Sequence, residues 1–587
     1  METDRLDKWI GKITGAQKTR TPRRRHSKKD HKVQKLRIIP LGGLDEVGKN
    51  MTVFEYGDDI IVVDMGFQFP EEDMLGVDYV IPDISYLEGK KKNIRAVIIT
   101  HGHMDHIGGI PYILPKLGMP KVFATKLTRG LIERRLDEFE LTKMANLNTI
   151  NPEETLRFGP FTLNFFRVAH SIPDGVGISI DTPHGRIIHT GDFKFDPEPA
   201  GSTQRTDIRK LQKLCQKPIL ALLSDSTNSL SPGTTISEKE VGRNLEDIIR
   251  KTPKRLIIAS FSSLIGRIQQ IIDYAQKYKR TVFVSGRSMI ENMAIAEKLG
   301  YLKIPKRLVF DIRRTKKHPG NDSIILTTGS QGEAVSALTR IAMSEHPHVK
   351  LKEGDTVILS SSPIIGNERA IFTVINNLCM LGARVIHSAI MDVHTSGHAK
   401  QDDLTRMIKL VKPKYLVPIH GEYFMRKGHA ELGSRMGIKN ENILLIQNGD
   451  VLEIFAGKVE KSQEKVETNY IVIDGLGEGD VDSLVISDRQ KMAENGVLII
   501  LLTVDGKTKK LLQKPSIISR GFVYLKESQE VEKEVGVKAE RAYRNIIEKK
   551  KGVKRGEIKK YVRGSVEKYT HQKLERKPLI IPVIDEV

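Results

Sequence analysis

The sequence predicts an α/β layered fold in which functional side chains collect at the carboxyl ends of several strands. Three observations carry that prediction. The apolar run Ala96-Val97-Ile98-Ile99-Thr100 leads directly into His101-Gly102-His103-Met104-Asp105-His106. Four further apolar runs each end on a side chain able to bind a metal, namely Asp64, His170, Asp192 and His420. Between about residues 255 and 359, short strand-like runs recur with helix-length stretches between them, the alternation expected of layered α/β folds.

The hexapeptide comes first because it packs four metal-capable side chains into six positions. In an extended segment His101 and His103 point to the same side, since side chains alternate with period two. Gly102 lets the backbone approach whatever they bind. Asp105 and His106 follow where the chain turns into an expected helix over 106–114. Two imidazoles beside a carboxylate–imidazole pair suit two metal ions a few ångströms apart better than one. The chain holds 17 His in 587 residues, so three within six positions is a poor match to chance.

The other runs follow the same pattern. Ile60-Ile61-Val62-Val63 ends at Asp64, and Phe165-Phe166-Arg167-Val168-Ala169 ends at His170. Ile187-Ile188-His189-Thr190-Gly191 ends at Asp192, and Tyr415-Leu416-Val417-Pro418-Ile419 ends at His420. A single Asp or His after a strand is usually a turn or cap residue. Repetition at the carboxyl ends of several strands is what marks a site in this class of fold.

Composition bounds the function classes. A chain of 587 residues has room for two to four domains. No apolar run approaches the ~18 residues of a membrane span, and no secretory signal is evident. Cys215 and Cys379 are the only cysteines, which argues against a disulfide framework and fits a cytoplasmic protein. They are too few to be the metal ligands. The net charge is +21, and its location matters more than its size. Residues 1–37 carry 13 Lys/Arg against 4 Asp/Glu, and residues 541–577 carry 14 against 4. These two segments therefore supply +19, leaving a nearly neutral body. Residues 1–32 lack an apolar pattern and read as a basic, disordered N-terminal arm. Such an arm adds salt-dependent affinity for a nucleic acid, or is simply a solvated tail; Glu2, Asp4 and Asp7 are the wrong sign for a transit peptide.

Asp64, the segment 101–106, His170 and Asp192 together resemble the motifs of the metallo-β-lactamase hydrolase superfamily. Ser224-Asp225-Ser226-Thr227-Asn228, His394-Thr395-Ser396-Gly397-His398-Ala399 and Pro418-Ile419-His420-Gly421-Glu422-Tyr423 resemble motifs A, B and C of the β-CASP nucleases. Longer strings are similar to the bacterial ribonuclease J family. They are His-Ser-Ile-Pro-Asp (170–174), His-Thr-Gly-Asp-Phe-Lys-Phe-Asp (189–196), Gly-Arg-Ser-Met (286–289), Thr-Thr-Gly-Ser-Gln-Gly-Glu (327–333) and Ser-Ser-Ser-Pro-Ile-Ile-Gly-Asn-Glu (360–368). The resemblance runs from about Lys35 to the C-terminus.

That resemblance implies an αββα sandwich, an inserted β-CASP α/β domain and a small α+β C-terminal domain. It implies a ribonuclease that cleaves single-stranded RNA to 5′-phosphate products, with 5′→3′ exonuclease and endonuclease activity, in rRNA processing and mRNA decay. By the same resemblance His101, His103 and His170 hold one metal, and Asp105, His106 and His420 hold a second. Asp192 bridges them, and Asp64 braces the ligand histidines from behind. Two Zn²⁺ per subunit are implied, though the same ligands accept Mn²⁺. His398 is the expected general acid, steered by Asp225; the plainer readings are a phosphate-binding or structural His398 and an Asp225 that caps a helix. Ser263, His394, Ser396 and His398 match the pocket that holds a substrate phosphate. Here the chain departs from the family, which reads Ala-Ser-Asn-Ile where this sequence has Ser262-Ser263-Leu264-Ile265. On its own Ser263 is equally a loop hydroxyl.

The motif positions place a hydrolase domain over 33–238 and 394–456, with the β-CASP insertion over 239–393. Strands are expected at 255–259, 281–284, 323–327 and 356–359. Residues 457–469 are charged and polar and read as a linker. A C-terminal domain follows over 470–587, with strands at 497–503 and 521–525 and a helix over 531–550; in the family it serves to build a homodimer or homotetramer. The cleft between two domains suits single-stranded RNA. At 6% aromatic residues, backbone electrostatics should outweigh base stacking. A DNA-processing β-CASP nuclease is the alternative; His at motif C, as at His420, goes with RNA-processing members and Val with DNA-processing ones. A small-molecule hydrolase is disfavoured by the insertion that would roof the site. A silent RNA-binding subunit is disfavoured by the complete ligand set.

Overall fold

Alternating apolar side chains decide which way each strand faces. On the strand Leu36–Gly42, Leu36 and Ile38 enter one core while Ile39 and Leu41 enter another. The same division holds for Ile61 and Val63 against Ile60 and Val62, and for Ala96 and Ile98 against Val97 and Ile99. Period-two alternation with both faces apolar means a sheet covered on both sides. The computed structural model describes residues 34–71, 74–317, 322–333, 335–363, 367–475, 477–478, 483–522, 528–550 and 552–587. The arm expected over 1–32 lies outside them.

The eight-stranded sheet runs in the order Lys458–Lys465, Asp450–Phe455, Leu36–Gly42, Met51–Tyr56, Asp59–Val63, Ile94–Ile98, Val122–Ala124 and Leu147–Thr149. A six-stranded sheet packs against it, in the order Tyr415–Ile419, Ile219–Asp225, Gly185–His189, Val176–Thr182, Phe161–Arg167 and Thr155–Phe158. Between them lies one shared core containing Phe54, Phe161, Phe165, Ile178 and Val417. Burying each such side chain contributes roughly 1.5–3 kcal/mol. The outer faces carry helices, which completes the αββα sandwich.

A third sheet has six strands, ordered Val309–Asp311, Val282–Ser285, Ile324–Thr327, Leu256–Ser260, Thr356–Ser360 and Arg384–Ile386. Every pairing in it is parallel. Its central strand reads Leu-Ile-Ile-Ala-Ser and is buried throughout, as a strand covered on both faces requires. The four strands expected there are present, with ends shifted by a residue. Near the C-terminus, Ser516–Arg520, Val497–Val504 and Leu579–Glu586 form a three-stranded sheet against the helices Ser528–Lys549 and Arg555–Leu574.

Three expectations need correction. The helix expected over 106–114 is two short helices, Met104–Ile107 and Ile110–Ile113. Gly108 and Gly109, residues that weaken a helix, lie between them, and Gly108 packs on Phe67, with 2.1 Å between a Cβ there and Cδ1 of Phe67. The segment 457–469 is not a simple linker, since Lys458–Lys465 pairs with Asp450–Phe455 as an edge strand. Only Val459 is buried on it, so the strand shows no apolar alternation and reads as polar chain. The strand expected at 521–525 lies earlier, at Ser516–Arg520; Gly521 is in the left-handed region (φ 63°) and ends it, and 523–525 fall outside the described residues. Among the described residues no helix is long and apolar enough to cross a membrane, and Cys215 and Cys379 are free thiols.

Candidate metal centre

Six strand ends converge on one edge of the sandwich. Asp59–Val63 and Ile94–Ile98 are parallel neighbours, and they deliver Asp64 and the segment 101–106. In the second sheet Gly185–His189, Ile219–Asp225 and Tyr415–Ile419 are parallel, and they deliver Asp192, Asp225 and His420. Phe161–Arg167 runs the same way and delivers His170 three residues later. Two of these residues, Asp64 (φ 63°) and His420 (φ 52°), sit in the left-handed region. Such strain persists only where surrounding contacts over-determine the residue, and it clusters at working sites.

The side chains form two groups. Nδ1 of His103 lies 3.1 Å from Nε2 of His101 and 3.0 Å from Nε2 of His170. Oδ2 of Asp105 lies 3.3 Å from Nε2 of both His106 and His420. Asp192 faces both groups: its Oδ2 is 3.2 Å from His106, 3.4 Å from His420, 3.7 Å from His101 and 3.9 Å from His170. The ligand-capable atoms of each group lie within 4.8 Å of one another.

Partners behind the rings hold them in place. His170 Nδ1 donates to the carbonyl of Gly397 at 2.8 Å, which leaves Nε2 as a bare lone pair aimed at the centre. Gly397 must be glycine for this approach, as a Cβ would sit 2.5 Å from the His170 ring. Asp64 takes hydrogen bonds from the Thr100 amide and hydroxyl, at 2.8 and 2.9 Å, and from His106 Nδ1 at 2.8 Å. Gly66 lets the neighbouring loop cross Asp105, whose carbonyl would be 1.6 Å from a Cβ.

Electrostatics separate the groups. Burial, reinforced by the neighbouring imidazoles, holds His101 and His170 well below the usual histidine range. Burial also pushes His103 down to about 4 against the pull of Asp105 and Asp192. Neutral imidazole is the form that binds metal. In the second group burial again opposes charge, but Asp192 and Asp105 outweigh it and push His420 up to about 9. A cation would satisfy the same carboxylates. Three facing lone pairs beside a carboxylate-rich pocket therefore fit metal ions through the chemistry of the donor set.

His398 stands beside this centre. Its Nδ1 is 2.8 Å from Oδ2 of Asp225, and its ring centroid lies 5.0 Å from that of His170 and 5.4 Å from that of His420. Burial disfavours the imidazolium, yet Asp225 prevails and raises His398 above the usual range. Asp225 also accepts hydrogen bonds from the Thr227 amide and hydroxyl at 2.9 and 2.8 Å, so it is a turn cap and a histidine partner at once. Among the expected phosphate-pocket residues, Ser396 is held by Asn228 at 2.8 Å and meets the His398 amide at 3.2 Å. Among the described residues no hydrogen bond joins Ser263 or His394 to these two. Leu264 is buried and precedes the helix Ile265–Lys277 without a side-chain cap.

Several contacts at the site were not assigned from sequence. Asn50 Nδ2 donates to the carbonyl of Asp105 at 3.1 Å and lies 3.2 Å from His106 Nε2. Thr227 Oγ1 lies 2.8 Å from His420 Nδ1. His394 belongs to a buried charged cluster. Burial and then the Arg267 charge push it down to about 3. Arg267 bonds Glu238 at 2.5 Å, Ser360 Oγ at 2.6 Å and the Val393 carbonyl at 2.8 Å. Lys194 Nζ lies 3.5 Å from Asp196 and 3.7 Å from Glu238. This cluster ties the strand end after Asp192 to both passages into the 239–393 segment.

Removing one partner of a buried pair leaves the other charge uncompensated, so Arg267→Met should lower stability by about 3–5 kcal/mol in denaturant melts. A loss under ~1 kcal/mol would show that the cluster holds nothing together. Burial opposes ionisation of Glu238, but Arg267 and Lys194 hold its carboxyl down to about 2. Its stabilisation is thus complete above the ordinary 4.5 and lost as pH falls toward 2. Glu238→Gln should accordingly flatten the stability profile between those values.

Comparison with known proteins agrees with this architecture. Residues 44–228 match the metallo-beta-lactamase superfamily, and 253–378 match the ribonuclease J beta-CASP domain. Residues 383–443 match the Zn-dependent metallo-hydrolase RNA specificity domain, and 484–587 match the ribonuclease J C-terminal domain. The chain is 42% identical over 562 residues to ribonuclease J2 of Bacillus subtilis strain 168, covering 95% of this chain and 100% of that protein. It is 42% identical over 550 residues to ribonuclease J 1 of Streptococcus pyogenes serotype M3, covering 93% and 97%. It is 38% identical over 555 residues to ribonuclease J 2 of Staphylococcus aureus strain MRSA252, covering 94% and 98%. A solved structure of a protein of unknown function from Enterococcus faecalis V583 shares the fold at a TM-score of 0.52 and 18% identity, covering 72% of this chain and 100% of that one.

Proposed function

This chain belongs to the ribonuclease J family of metal-dependent nucleases, and on that premise we propose that it hydrolyses single-stranded RNA to 5′-phosphate products with two metal ions. One observation carries the reading. Asp192 faces two histidine-rich groups at 3.2–3.9 Å, and a carboxylate-held histidine, His398, stands beside them. His101, His103 and His170 would hold one ion and Asp105, His106 and His420 the other, with Asp192 between them and Asp64 bracing His106. Zn²⁺, or Mn²⁺ on the same ligands, supplies Lewis acidity toward phosphate and water when bound.

The chain's own residues would do the rest. Asp225 holds His398 through Nδ1, so the proton on Nε2 is the one available to the leaving 3′-oxygen. His170 and His420 are kept in fixed tautomers by Gly397 and Thr227, which keeps their inward nitrogens free. Ser396 and His398, together with Ser263 and His394, would hold a substrate phosphate by short charge-favoured hydrogen bonds and so measure cleavage from the 5′ end. The activity would combine 5′→3′ exonuclease and endonuclease steps in cytoplasmic RNA maturation and decay. The working unit would be a homodimer or homotetramer. The hydrolase domain would comprise 33–238 and 394–456, the β-CASP insertion 239–393, and the C-terminal domain 470–587.

The test is a 5′-monophosphorylated, 5′-labelled single-stranded RNA and its DNA counterpart, each with and without chelator. The expected result is chelator-sensitive release of labelled mononucleotide from RNA. Internal fragments alone would mean that the pocket near Leu264 does not hold a 5′ phosphate. Equal or faster cleavage of DNA would overturn the RNA reading.

A further inference from the structure

A cavity of about 900 Å³ lies away from the metal centre, between the loop 198–207 and the helices Glu238–Lys251 and Ile265–Lys277. Its lining includes four cations, Arg167, Arg205, Arg209 and Lys239, against two carboxylates, Glu198 and Asp207. Both carboxylates are occupied. Glu198 pairs with Lys239, and Asp207 caps the helix Ile208–Leu214 by accepting from the Lys210 amide at 2.9 Å. Arg167 is paired with Glu153 at 2.9 Å. Arg205 and Arg209 are exposed. Arg205 acts on the Glu198 carboxylate only from beyond ion-pair distance, so two guanidiniums without a direct carboxylate partner among the described residues line one cavity in a chain whose body is otherwise near neutral.

The cavity wall is registered to the metal centre. Thr206 Oγ1 accepts from the amide of Ala169, which precedes His170, at 2.9 Å, and donates to the carbonyl of Lys194, two residues after Asp192, at 2.7 Å. The Asp207 amide donates to the Arg167 carbonyl at 2.9 Å. On the far side Gly201 packs directly on Gly266, with 3.0 Å between a Cβ at Gly201 and the Gly266 Cα. The site therefore keeps a fixed distance from the ligand-bearing strands.

We propose that this cavity binds the phosphodiester backbone of the RNA strand outside the cleavage site, through Arg205 and Arg209. The proposal rests on the RNA-cleaving reading above. Its lining offers no aromatic face for a base, so recognition is of backbone charge and independent of sequence. The cavity is open to solvent and not enclosed, which suits a strand passing across it. Guanidinium is suited to phosphate because its planar fork donates to two oxygens together.

The experiment uses the full chain with Arg205→Glu and Arg209→Glu combined. Single-stranded RNAs of about 4 and about 30 nucleotides bracket the ~4–16-nucleotide span of single-strand sites. The variant should raise KM roughly tenfold for the long RNA while leaving kcat, and both constants for the short RNA, unchanged. Anisotropy of the long RNA in chelator should show a salt slope smaller by about 1.4, for two phosphates at ~0.7 each. An unchanged slope and unchanged long-RNA KM would overturn the proposal. So would equal losses on both lengths, which would place the two arginines in the service of the fold or the metal centre. AMP that displaces RNA of both lengths from the wild-type chain, but not from the variant, would assign the cavity to free nucleotide and overturn the strand reading. If the wild-type chain cleaves neither RNA, the functional reading has failed, and the salt slope still decides whether the cavity binds RNA.

Discussion

Asp192→Ala is expected to release metal and reduce RNA cleavage to background, because the Asp192 carboxylate lies within 3.9 Å of imidazoles in both histidine groups. Its Oδ2 stands within 4.0 Å of His101, His106, His170, His398 and His420. Without it the inward Nε2 atoms of His106 and His420 keep only Asp105, and the His101–His103–His170 group loses the carboxylate nearest to His101 and His170. Buried imidazoles with no anion and no cation face each other's lone pairs at 3.0–3.1 Å, so the pocket would relax outward. Asp192→Asn separates charge from shape: it keeps the volume and one acceptor oxygen, and should still lose at least one equivalent of metal by elemental analysis. A folded Asp192→Ala protein that retains two metals and full turnover would overturn the bridging assignment.

How far the site was legible follows from where its signals lie. The strand ends were readable because each apolar run is short, buried on both faces and stopped by a polar ligand. That pattern survives in sequence as Ile60 to Asp64 or Tyr415 to His420. The pairing order of the two sheets left no such trace, and the sandwich rested on resemblance to a family. Lys458–Lys465 reads as polar chain because Val459 alone of this edge strand is buried, which leaves no alternation to read. The helix expected over 106–114 splits at Gly108 and Gly109, the glycines that weaken it in sequence; the packing of Gly108 on Phe67 is visible only in the fold. Asn50, Thr227, Lys194, Glu238 and Arg267 act through tertiary contacts alone. Thr227 and Lys194 lie inside strings that resemble the family but carry no stated role there, and only the fold brings Asn50 to His106 or Arg267 to Val393.

His398→Ala should behave in the opposite manner to Asp192→Ala, sparing the metals while slowing cleavage by roughly a hundredfold or more, as loss of a general acid does. Its ring remains partly open to solvent, at 20% exposure, and its Nδ1 is already engaged by Asp225. That leaves Nε2 to donate a proton outward. The raised position of His398 keeps this proton in place at neutral pH, and the deficit should therefore be largest for RNA, whose 3′-oxygen needs protonation to leave. A substrate with a more acidic leaving group, such as a nitrophenyl phosphodiester, needs no such donor, and on it the variant should approach the wild-type rate. Asp225→Asn tests the same link from the other side. It should lower the effective pKa of His398 and move the alkaline limb of kcat to lower pH, without the full loss seen in His398→Ala. If His398→Ala were equally slow on both substrates, or if it lost metal, His398 would be holding the centre together and another group would have to supply the proton.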